Sequence, residues 1–490
     1  MRSRRRKKRR SGCLPAAAVI LTAAVAALAA LYTLRQKPMD LAGGEEQSFA
    51  GKESSEPEKQ KAEQKQKEPV PETMRETETM RETEAMQETE PVTDQDPAEL
   101  PSSYDIRDHR TVTVSDQGDL GTCWAFAALK AVETSMPGSM AVPLSADHMS
   151  IHNSFRISQN SGGDYSMAMA YLLAWQGPVP ETEDPYGDST SPDGLEPVCH
   201  VQEIRILPEK DYDAVKRAVL RYGGVQTSIY LPSENRGGDG NVCYKGSEEP
   251  NHDTVIIGWD DAYSRERFSS APESDGAFLC VNSWGESFGD GGFFHVSYED
   301  SRIAESGITY CGIESAENYD RNYQSDLCGW TGQMGFGEPE AWMTNVYTAK
   351  SDETLEAVGF YATAPDTEYE VYVFDGDSFR EHVENNEKFQ TDSGKVLASG
   401  VLTDTGFYTV SLEKPRTLET GEIFAVTVRI RTQGMTQPVA VEYAGSGRTG
   451  NVDISDGEGY ISFDGSVWER TETSKGCNVC LKAYSRKKGK

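Results

Sequence analysis

The sequence predicts an α+β domain followed by an all-β domain. Two changes of composition along the 490-residue chain carry this prediction. Near residue 100, a stretch almost without large aliphatic side chains gives way to mixed helical and strand patterns that continue to about residue 317. From about residue 324 to residue 484 the pattern is almost wholly strand-like, with turns rich in Gly, Asp, Asn and Pro, as in a β-sandwich.

The first 37 residues have the composition of a cytoplasmic basic tip and a transmembrane anchor. Eight of the first ten side chains are basic, and an uncharged, Ala-rich stretch follows over residues 14–34. At ~1.5 Å per residue this stretch covers roughly the ~30 Å hydrocarbon core, and the basic cluster is expected to stay in the cytoplasm. A cleaved secretory signal is the alternative, but the apolar run exceeds the ~7–15 residues of an ordinary signal. Both hypotheses place the rest of the chain outside the cytoplasm.

Residues 38–98 are predicted to form a disordered acidic stalk. Glu, Lys, Gln, Thr and Pro dominate, so the segment cannot bury enough apolar surface to offset its ordering entropy. A six-residue unit recurs over residues 72–77, 78–83 and 84–89. A period of six fits neither a coiled-coil seam nor a solenoid, which favours a spacer.

The whole chain is strongly acidic. It has 48 Lys and Arg residues against 79 Asp and Glu residues, and a net charge of −31. This balance argues against nucleic acid as a partner, because the phosphate backbone attracts basic surfaces.

Each of the two domains contains segments with a clear local pattern. A buried helix is predicted to begin near Cys123, because the residues that follow are apolar almost all round. Strands are predicted in the first domain over residues 225–231, 254–259, 277–282 and 292–297, and in the second over residues 357–361, 369–374, 406–412, 423–430, 439–443 and 479–484.

Cys123 is the candidate nucleophile. A thiolate is the reactive form of cysteine, and both a helix N-terminus and a neighbouring imidazole stabilise it. Two glycines shape a tight loop ahead of the helix, and Gln117 lies six residues before the thiol, where its amide is placed to donate to an oxyanion. Taken singly, a cysteine is usually a small buried hydrophobe, so the hypothesis depends on partners elsewhere in the chain.

Three motifs, in this order along the chain, resemble those of the papain-type cysteine peptidases. They are a Gln, a Gly-rich turn and Cys-Trp-Ala-Phe; then Asn-His followed by a buried strand; then Asn-Ser-Trp-Gly followed by a glycine-rich run. The matching segments are residues 116–126, 251–259, 281–285 and 289–294. The resemblance extends over about residues 100–317. The architecture as a whole resembles bacterial surface peptidases that carry a lectin-like domain.

The resemblance implies a fold and a set of catalytic roles. Residues 99–318 would form a papain-like domain with a helical subdomain and a β-barrel-like subdomain, and residues 324–486 a lectin-like β-sandwich. Cys123 would attack the peptide carbonyl, His252 would move the proton, and Asn282 would orient the imidazole.

Three further positions take roles from the same resemblance. Gln117 and the backbone amide of the nucleophile would form the oxyanion hole. Gly121 and Gly163 would offer backbone groups to an extended substrate, although plain turn glycine is the alternative for both. No cofactor is expected.

The chain also departs from the family pattern. Asp253 follows the histidine where a small apolar residue is usual, and its carboxylate beside the imidazole is expected to affect the pH dependence. The His-to-Asn separation is long, and the extra acidic segment, residues 260–275, is interpreted as a surface loop near the cleft. A calcium site at Asp260 and Asp261 is disfavoured, because no EF-hand-like spacing is present.

The cysteines do not form a simple framework. There are nine, and setting aside the nucleophile and Cys13, which precedes the apolar stretch, leaves seven, so complete pairing within one chain is impossible. Cys477 and Cys480 have a Cys-x-x-Cys spacing, but residues three apart on a strand face opposite sides, which disfavours a redox or metal site.

These observations predict a membrane-anchored extracellular cysteine endopeptidase that acts on polypeptides. The second domain would bind a cell-surface glycan or protein. The alternative is a surface adhesin with a catalytically idle papain-like scaffold. Peptidoglycan cross-peptides are a further possible substrate, but no dedicated wall-binding repeat supports them.

Overall fold

The computed structural model describes residues 99–232, 240–391 and 394–489. The expected anchor over residues 1–37, the expected stalk over residues 38–98 and Cys13 lie outside these residues. In the described part of the chain, no helix combines the length and apolar character needed to cross a membrane.

A helical layer forms one side of the first domain. Its central helix, α1 (Cys123–Ser135), begins at the predicted residue and is buried along nearly its whole length. Two shorter helices, α2 (Ala146–Ile151) and α3 (Tyr165–Leu173), pack against α1. Ser145 and Asp164 cap these two helices, because each side chain accepts a hydrogen bond from a backbone N–H of the first turn.

An antiparallel sheet forms the other side of the first domain. The four predicted strands are present to within two residues. The elements are β1 (Ser103–Asp105), β2 (Cys199–Leu207), α4 (Tyr212–Arg221), β3 (Val225–Ile229), β4 (His252–Asp260), β5 (Ala277–Val281), β6 (Phe293–Ser297) and β7 (Gly307–Ser315). The strand order is β6-β5-β4-β3-β7-β2, with β1 paired to β4. One hydrophobic core lies between α1 and this sheet.

The second domain consists mainly of strands in two facing sheets. Its elements are β8 (Arg321–Tyr323), β9 (Gly332–Met334), β10 (Glu340–Thr348), β11 (Glu353–Ala362), β12 (Thr367–Asp375), α5 (Gly376–Glu384), β13 (Ala398–Leu402), β14 (Thr405–Leu418), β15 (Ile423–Thr432), β16 (Val439–Tyr443), β17 (Gly459–Ser462), β18 (Trp468–Arg470), α6 (Thr471–Lys475), β19 (Cys477–Val479) and β20 (Leu481–Lys487). A six-stranded sheet has the order β13-β12-β15-β10-β17-β18, and β14, β11, β20 and β8 form the other face. Their inward side chains form a separate core.

The second domain differs from its sequence prediction in two details. Two short helices, α5 and α6, interrupt the strands, and Phe379 of α5 is buried against aromatic side chains of the neighbouring strands. The last predicted strand is divided at Cys480, whose backbone N–H donates to Ala440 O on β16 at 3.2 Å.

One sheet runs through both domains. β2 of the first domain pairs antiparallel with β14 of the second, with Thr405 opposite Ile206 and Tyr408 opposite Glu203. Gly406 makes this approach possible: it has φ +151°, and a Cβ there would lie 2.0 Å from the carbonyl oxygen of Ile204. The backbone pairing therefore fixes the second domain on the first.

The acidic segment over residues 260–275 does not lie where the sequence analysis placed it. It follows β4, whose first residue is His252 and whose last is Asp260. Eight steps along a strand span about 26 Å, so the segment begins at the end of β4 remote from the histidine. The expectation of a loop near the cleft is wrong, because the strand between the histidine and the insertion is long.

Candidate active site

The start of α1 places Cys123 beside the start of β4. The backbone amide of Asp253 lies within hydrogen-bonding reach of the Cys123 sulfur. Helix α1 packs against β4 along its length. The fold therefore brings the predicted nucleophile next to the His252–Asp253 pair, although these residues are far apart in the sequence.

The hydrogen bonds of Asn282 define the tautomer of His252. Asn282 Oδ1 accepts from the backbone N–H of Ser283 at 2.8 Å and lies 2.7 Å from His252 Nε2. An amide oxygen can only accept, so Nε2 carries the ring hydrogen and the lone pair of the neutral ring is on Nδ1. The Trp284 ring covers the imidazole, with ring centroids 4.5 Å apart.

Gln117 is held in place by the same segment. Its backbone N–H donates to Ser283 O at 2.8 Å, and its Oε1 accepts from the Ser283 hydroxyl at 2.6 Å. Its Nε2 donates to Leu120 O at 2.8 Å, which uses one of the two amide hydrogens. The amide is therefore oriented with its donor side toward the loop that precedes Cys123. Ser283 was not predicted as a positioning residue, although it lies within the Asn-Ser-Trp-Gly motif.

Tyr186 holds the loop ahead of the thiol from the other side. Its hydroxyl donates to Gln117 O at 2.9 Å and lies 2.7 Å from the hydroxyl of Thr122. Its ring contacts Phe126 edge to face, with centroids 4.7 Å apart. Thr122 thus anchors the loop to Tyr186 instead of capping α1 with its side chain.

Gly121 and Gly163 lie on neighbouring parts of the site. The Gly121 N–H donates to Asn160 Oδ1 at 2.9 Å, and a Cβ on Gly121 would lie 3.1 Å from Gly162 N. A Cβ on Gly163 would lie 2.5 Å from the Trp124 indole. Close packing on α1 therefore requires glycine at position 163, independently of any contact with substrate.

Asp253 is buried beneath the thiol and is bonded to the adjacent strand. Its carboxylate accepts from Ser228 Oγ at 2.7 Å and from Gln226 Nε2 at 3.0 Å, both on β3. Gln226 in turn accepts a hydrogen bond from Tyr310 at 2.7 Å. Burial raises the pKa of Asp253 to about 6, against the opposing effect of these hydrogen bonds. No pattern in the sequence predicted the contact of Asp253 with these two partners on β3.

Burial and the Asp253 carboxylate also affect Cys123, the predicted nucleophile. Burial, and after it the negative charge of Asp253, raises the pKa of the Cys123 thiol to about 11, while backbone amides oppose the rise. Both effects oppose formation of the thiolate, so attack by this sulfur requires a base that takes the proton of the thiol.

The residues of the two disfavoured sites, the calcium site and the Cys-x-x-Cys pair, are either bonded to other side chains or buried. Asp261 Oδ1 lies 2.6 Å from Lys216 Nζ and accepts from the Tyr298 hydroxyl, also at 2.6 Å. Cys477 and Cys480 are both buried, and all eight cysteines of the described ranges are free. In those same ranges, no group of three or more His, Cys, Asp or Glu side chains is arranged to hold a metal ion.

Family models match both domains of the chain. Residues 100–320 match the papain family cysteine protease model, and residues 322–485 match the lectin-like domain model. The chain carries a papain-family cysteine protease domain followed by a lectin-like domain. Residues 100–320 are the protease domain, and residues 322–485 are the lectin-like domain.

Curated relatives match the protease domain. Cathepsin L of Sarcophaga peregrina is 27% identical over 238 residues, which are 45% of this chain and 63% of the relative. The probable cysteine protease RD19B of Arabidopsis thaliana is 27% identical over 233 residues, which are 44% of this chain and 61% of the relative. The chain thus spans less than two thirds of the length of these relatives.

Solved structures match both domains together. The cysteine protease and lectin-like domains of Cwp84, a surface layer associated protein of Clostridium difficile, have a TM-score of 0.68 and 26% identity, covering 79% of this chain and 89% of the other. Clostridial Cwp84 after propeptide cleavage has a TM-score of 0.70 and 26% identity, covering 79% of this chain and 100% of the other. The likeness therefore includes the arrangement of protease and lectin-like domains in one chain.

Replacing Asp253 by Asn is expected to make Cys123 easier to ionise. The substitution removes a negative charge beside the thiol, so the pH profile of Cys123 alkylation by iodoacetamide should move toward lower pH by roughly one unit. The measurement is the second-order alkylation rate between pH 5 and pH 11. Ser228→Ala, which removes a hydrogen bond but keeps the carboxylate, is the matched control and should move the profile much less. Superimposable profiles for wild type and Asp253→Asn would show that the carboxylate does not act on the thiol.

Proposed function

We propose that this chain is a membrane-anchored, extracellular cysteine endopeptidase with Cys123, His252 and Asn282 as its catalytic triad. The observation that carries the proposal is the 2.7 Å contact between His252 Nε2 and Asn282 Oδ1 beside the Cys123 thiol. Asn282 holds Nε2–H of His252, the lone pair is on Nδ1, and the thiol lies where β4 begins. This arrangement supports a histidine that acts as the general base for a neighbouring thiol.

The first half of the reaction forms a thioester. His252 Nδ1 takes the thiol proton, and the sulfur attacks the peptide carbonyl. The S–C bond forms, and the carbonyl π electrons move onto oxygen, where the second N–H of Gln117 Nε2 and the Cys123 backbone N–H donate to the oxyanion. The imidazolium then gives its proton to the leaving amine as the C–N bond breaks.

The second half releases the acyl group. Water attacks the thioester while His252 accepts one of its protons, and the C–S bond breaks to return the thiol and a free carboxylic acid. Asn282 keeps the ring oriented throughout, since Nε2–H remains bonded to its amide oxygen. The substrate is an extended polypeptide, and the exposed backbone of Gly163 supports main-chain contact with it.

Replacement of the nucleophile tests this proposal directly. We expect Cys123→Ala to lower peptide hydrolysis by at least about four orders of magnitude, because no thioester can form. Hydrolysis of a quenched fluorescent peptide library by the full chain is the measurement, with Cys477→Ala, at a buried cysteine of the lectin-like domain, as control. If wild type and Cys123→Ala are equally inactive but both bind bacterial cells, the chain is an adhesin with an idle scaffold.

Replacement of Gln117 by Ala tests the oxyanion role. Loss of one preorganised donor should lower kcat by about 10²–10³-fold with little change in KM, because the amide acts on charge that develops only in the transition state. Gln176→Ala removes an amide of the same size that bonds Ser154, outside the site, and should leave kcat unchanged. A rise in KM at constant kcat would instead assign Gln117 to ground-state binding.

The position of the enzyme in the cell is a separate part of the proposal. The uncharged stretch over residues 14–34 and the basic tip before it support an uncleaved anchor, and the surface association of Cwp84 supports an extracellular protease domain. We expect the protein to remain with membranes after alkaline carbonate washing and to retain the basic tip by mass spectrometry. A mature chain that starts shortly after Ala30 would indicate a cleaved signal instead.

For the lectin-like domain we propose binding of a cell-surface glycan or protein. A groove of about 290 Å³ lies on the six-stranded sheet and offers an aromatic ring, both charge signs and small side chains. It is lined by Glu368, Tyr369, Glu370, Ser399, Gly400, Val401, Arg429 and Arg431. The inactive Cys123→Ala chain described above provides the binding probe, and loss of cell binding on Tyr369→Ala would support this surface.

A further inference from the structure

A loop of the lectin-like domain reaches the protease domain beside the predicted substrate wall. Arg448, between β16 and β17, places its Nη1 2.7 Å from Asp164 Oδ2. The Arg448 carbonyl oxygen accepts from the backbone N–H of Arg156 at 2.7 Å, and its guanidinium lies 5.4 Å from the centroid of the Phe155 ring. Three different kinds of contact thus hold this one residue against residues 155–164.

Asp164 joins Arg448 to the protease domain. Its Oδ1 accepts from the backbone N–H of Ser166 at 2.9 Å and so caps α3, while its Oδ2 faces Arg448. Burial raises the pKa of Asp164, but the hydrogen bond and charge of Arg448, together with the hydrogen bonds from Ser166, outweigh burial and hold that pKa below its ordinary value. The carboxylate therefore stays ionised and paired at neutral pH.

The residues just before Asp164 contact the catalytic helix. Gly162 lies against Gly121 in the loop ahead of Cys123, and Gly163 lies against the Trp124 ring, as the close approach at both glycines shows. The short wall made of residues 162–164 is consequently held between α1 on one side and Arg448 on the other. Gly163 itself remains exposed to solvent.

We infer that Arg448 is a positioning residue of the substrate site, by which the lectin-like domain fixes the wall that receives the backbone of an extended polypeptide. This inference rests on the proposed peptidase function. Arg448 acts through Asp164 and touches none of the reacting groups, so its removal should weaken recognition of an extended chain and leave the thiol chemistry intact.

Two reagents separate recognition from thiol chemistry in the full chain. A peptidyl chloromethyl ketone must occupy the wall to reach Cys123, whereas iodoacetamide requires only the thiol. For Arg448→Met we expect a roughly tenfold slower reaction with the peptidyl reagent, a change within about twofold for iodoacetamide, and a higher KM at nearly constant kcat. Arg448→Lys keeps the charge and should recover part of the loss.

A matched control and a double-mutant cycle complete the test. Arg486 pairs with Glu356 at 3.0 Å on another part of the lectin-like domain, so Arg486→Met should react like wild type with both reagents. Asn at position 164 can still cap α3, so Asp164→Asn removes mainly the ion pair. If the two residues act as a unit, Asp164→Asn combined with Arg448→Met loses no more than either single variant.

The positioning role of Arg448 and the proposed peptidase function would fail in different experiments. Equal rates for Arg448→Met and wild type with the peptidyl reagent would overturn the inference, and so would a parallel loss with both reagents, which indicates a general disturbance of the fold. Failure of the proposed function appears earlier, in wild type itself, as a Cys123 that neither reacts with the peptidyl reagent nor supports hydrolysis.

Discussion

The site depends on a single oxygen atom, Oδ1 of Asn282. Because it accepts from the backbone of Ser283, it cannot be exchanged with the amide nitrogen without losing a hydrogen bond, and so it defines which nitrogen of His252 carries the proton. Ser283 extends the same constraint to Gln117 through its carbonyl and hydroxyl groups. The predicted base and the predicted oxyanion donor are thus oriented by two adjacent residues, Asn282 and Ser283, which directly follow β5 in the chain.

Burial and a nearby negative charge make the Cys123 thiol harder to ionise than a thiol exposed to solvent. Asp253 adds a buried negative charge beside Cys123, and its carboxylate accepts hydrogen bonds from Gln226 and Ser228 on β3. The carboxylate thus opposes ionisation of the sulfur.

Local patterns in the sequence were sufficient for α1 and the strands around the site, because apolar periodicity and turn residues act over short distances. The ordered motifs also predicted Cys123, His252, Asn282 and Gln117 as candidate site residues, and the fold brings these four into neighbouring positions. Contacts between distant segments had no such signal: β2 pairs with β14 about 200 residues away, and Arg448 reaches Asp164 across 284 positions. The direction of the Asp253 side chain was also unpredictable, since it depends on which strand lies beside β4.

The pairing of β2 with β14 limits how these domains can be exchanged during evolution. A protease domain separated from its partner would expose the backbone N–H and C=O groups of β2 as a free edge, and the lectin-like domain would expose β14 in the same way. A recombined chain would need a new neighbour with a strand in matching register and a residue without a side chain opposite Arg205. If the two domains are inherited together as one unit, the matching strand register and the glycine do not have to arise anew.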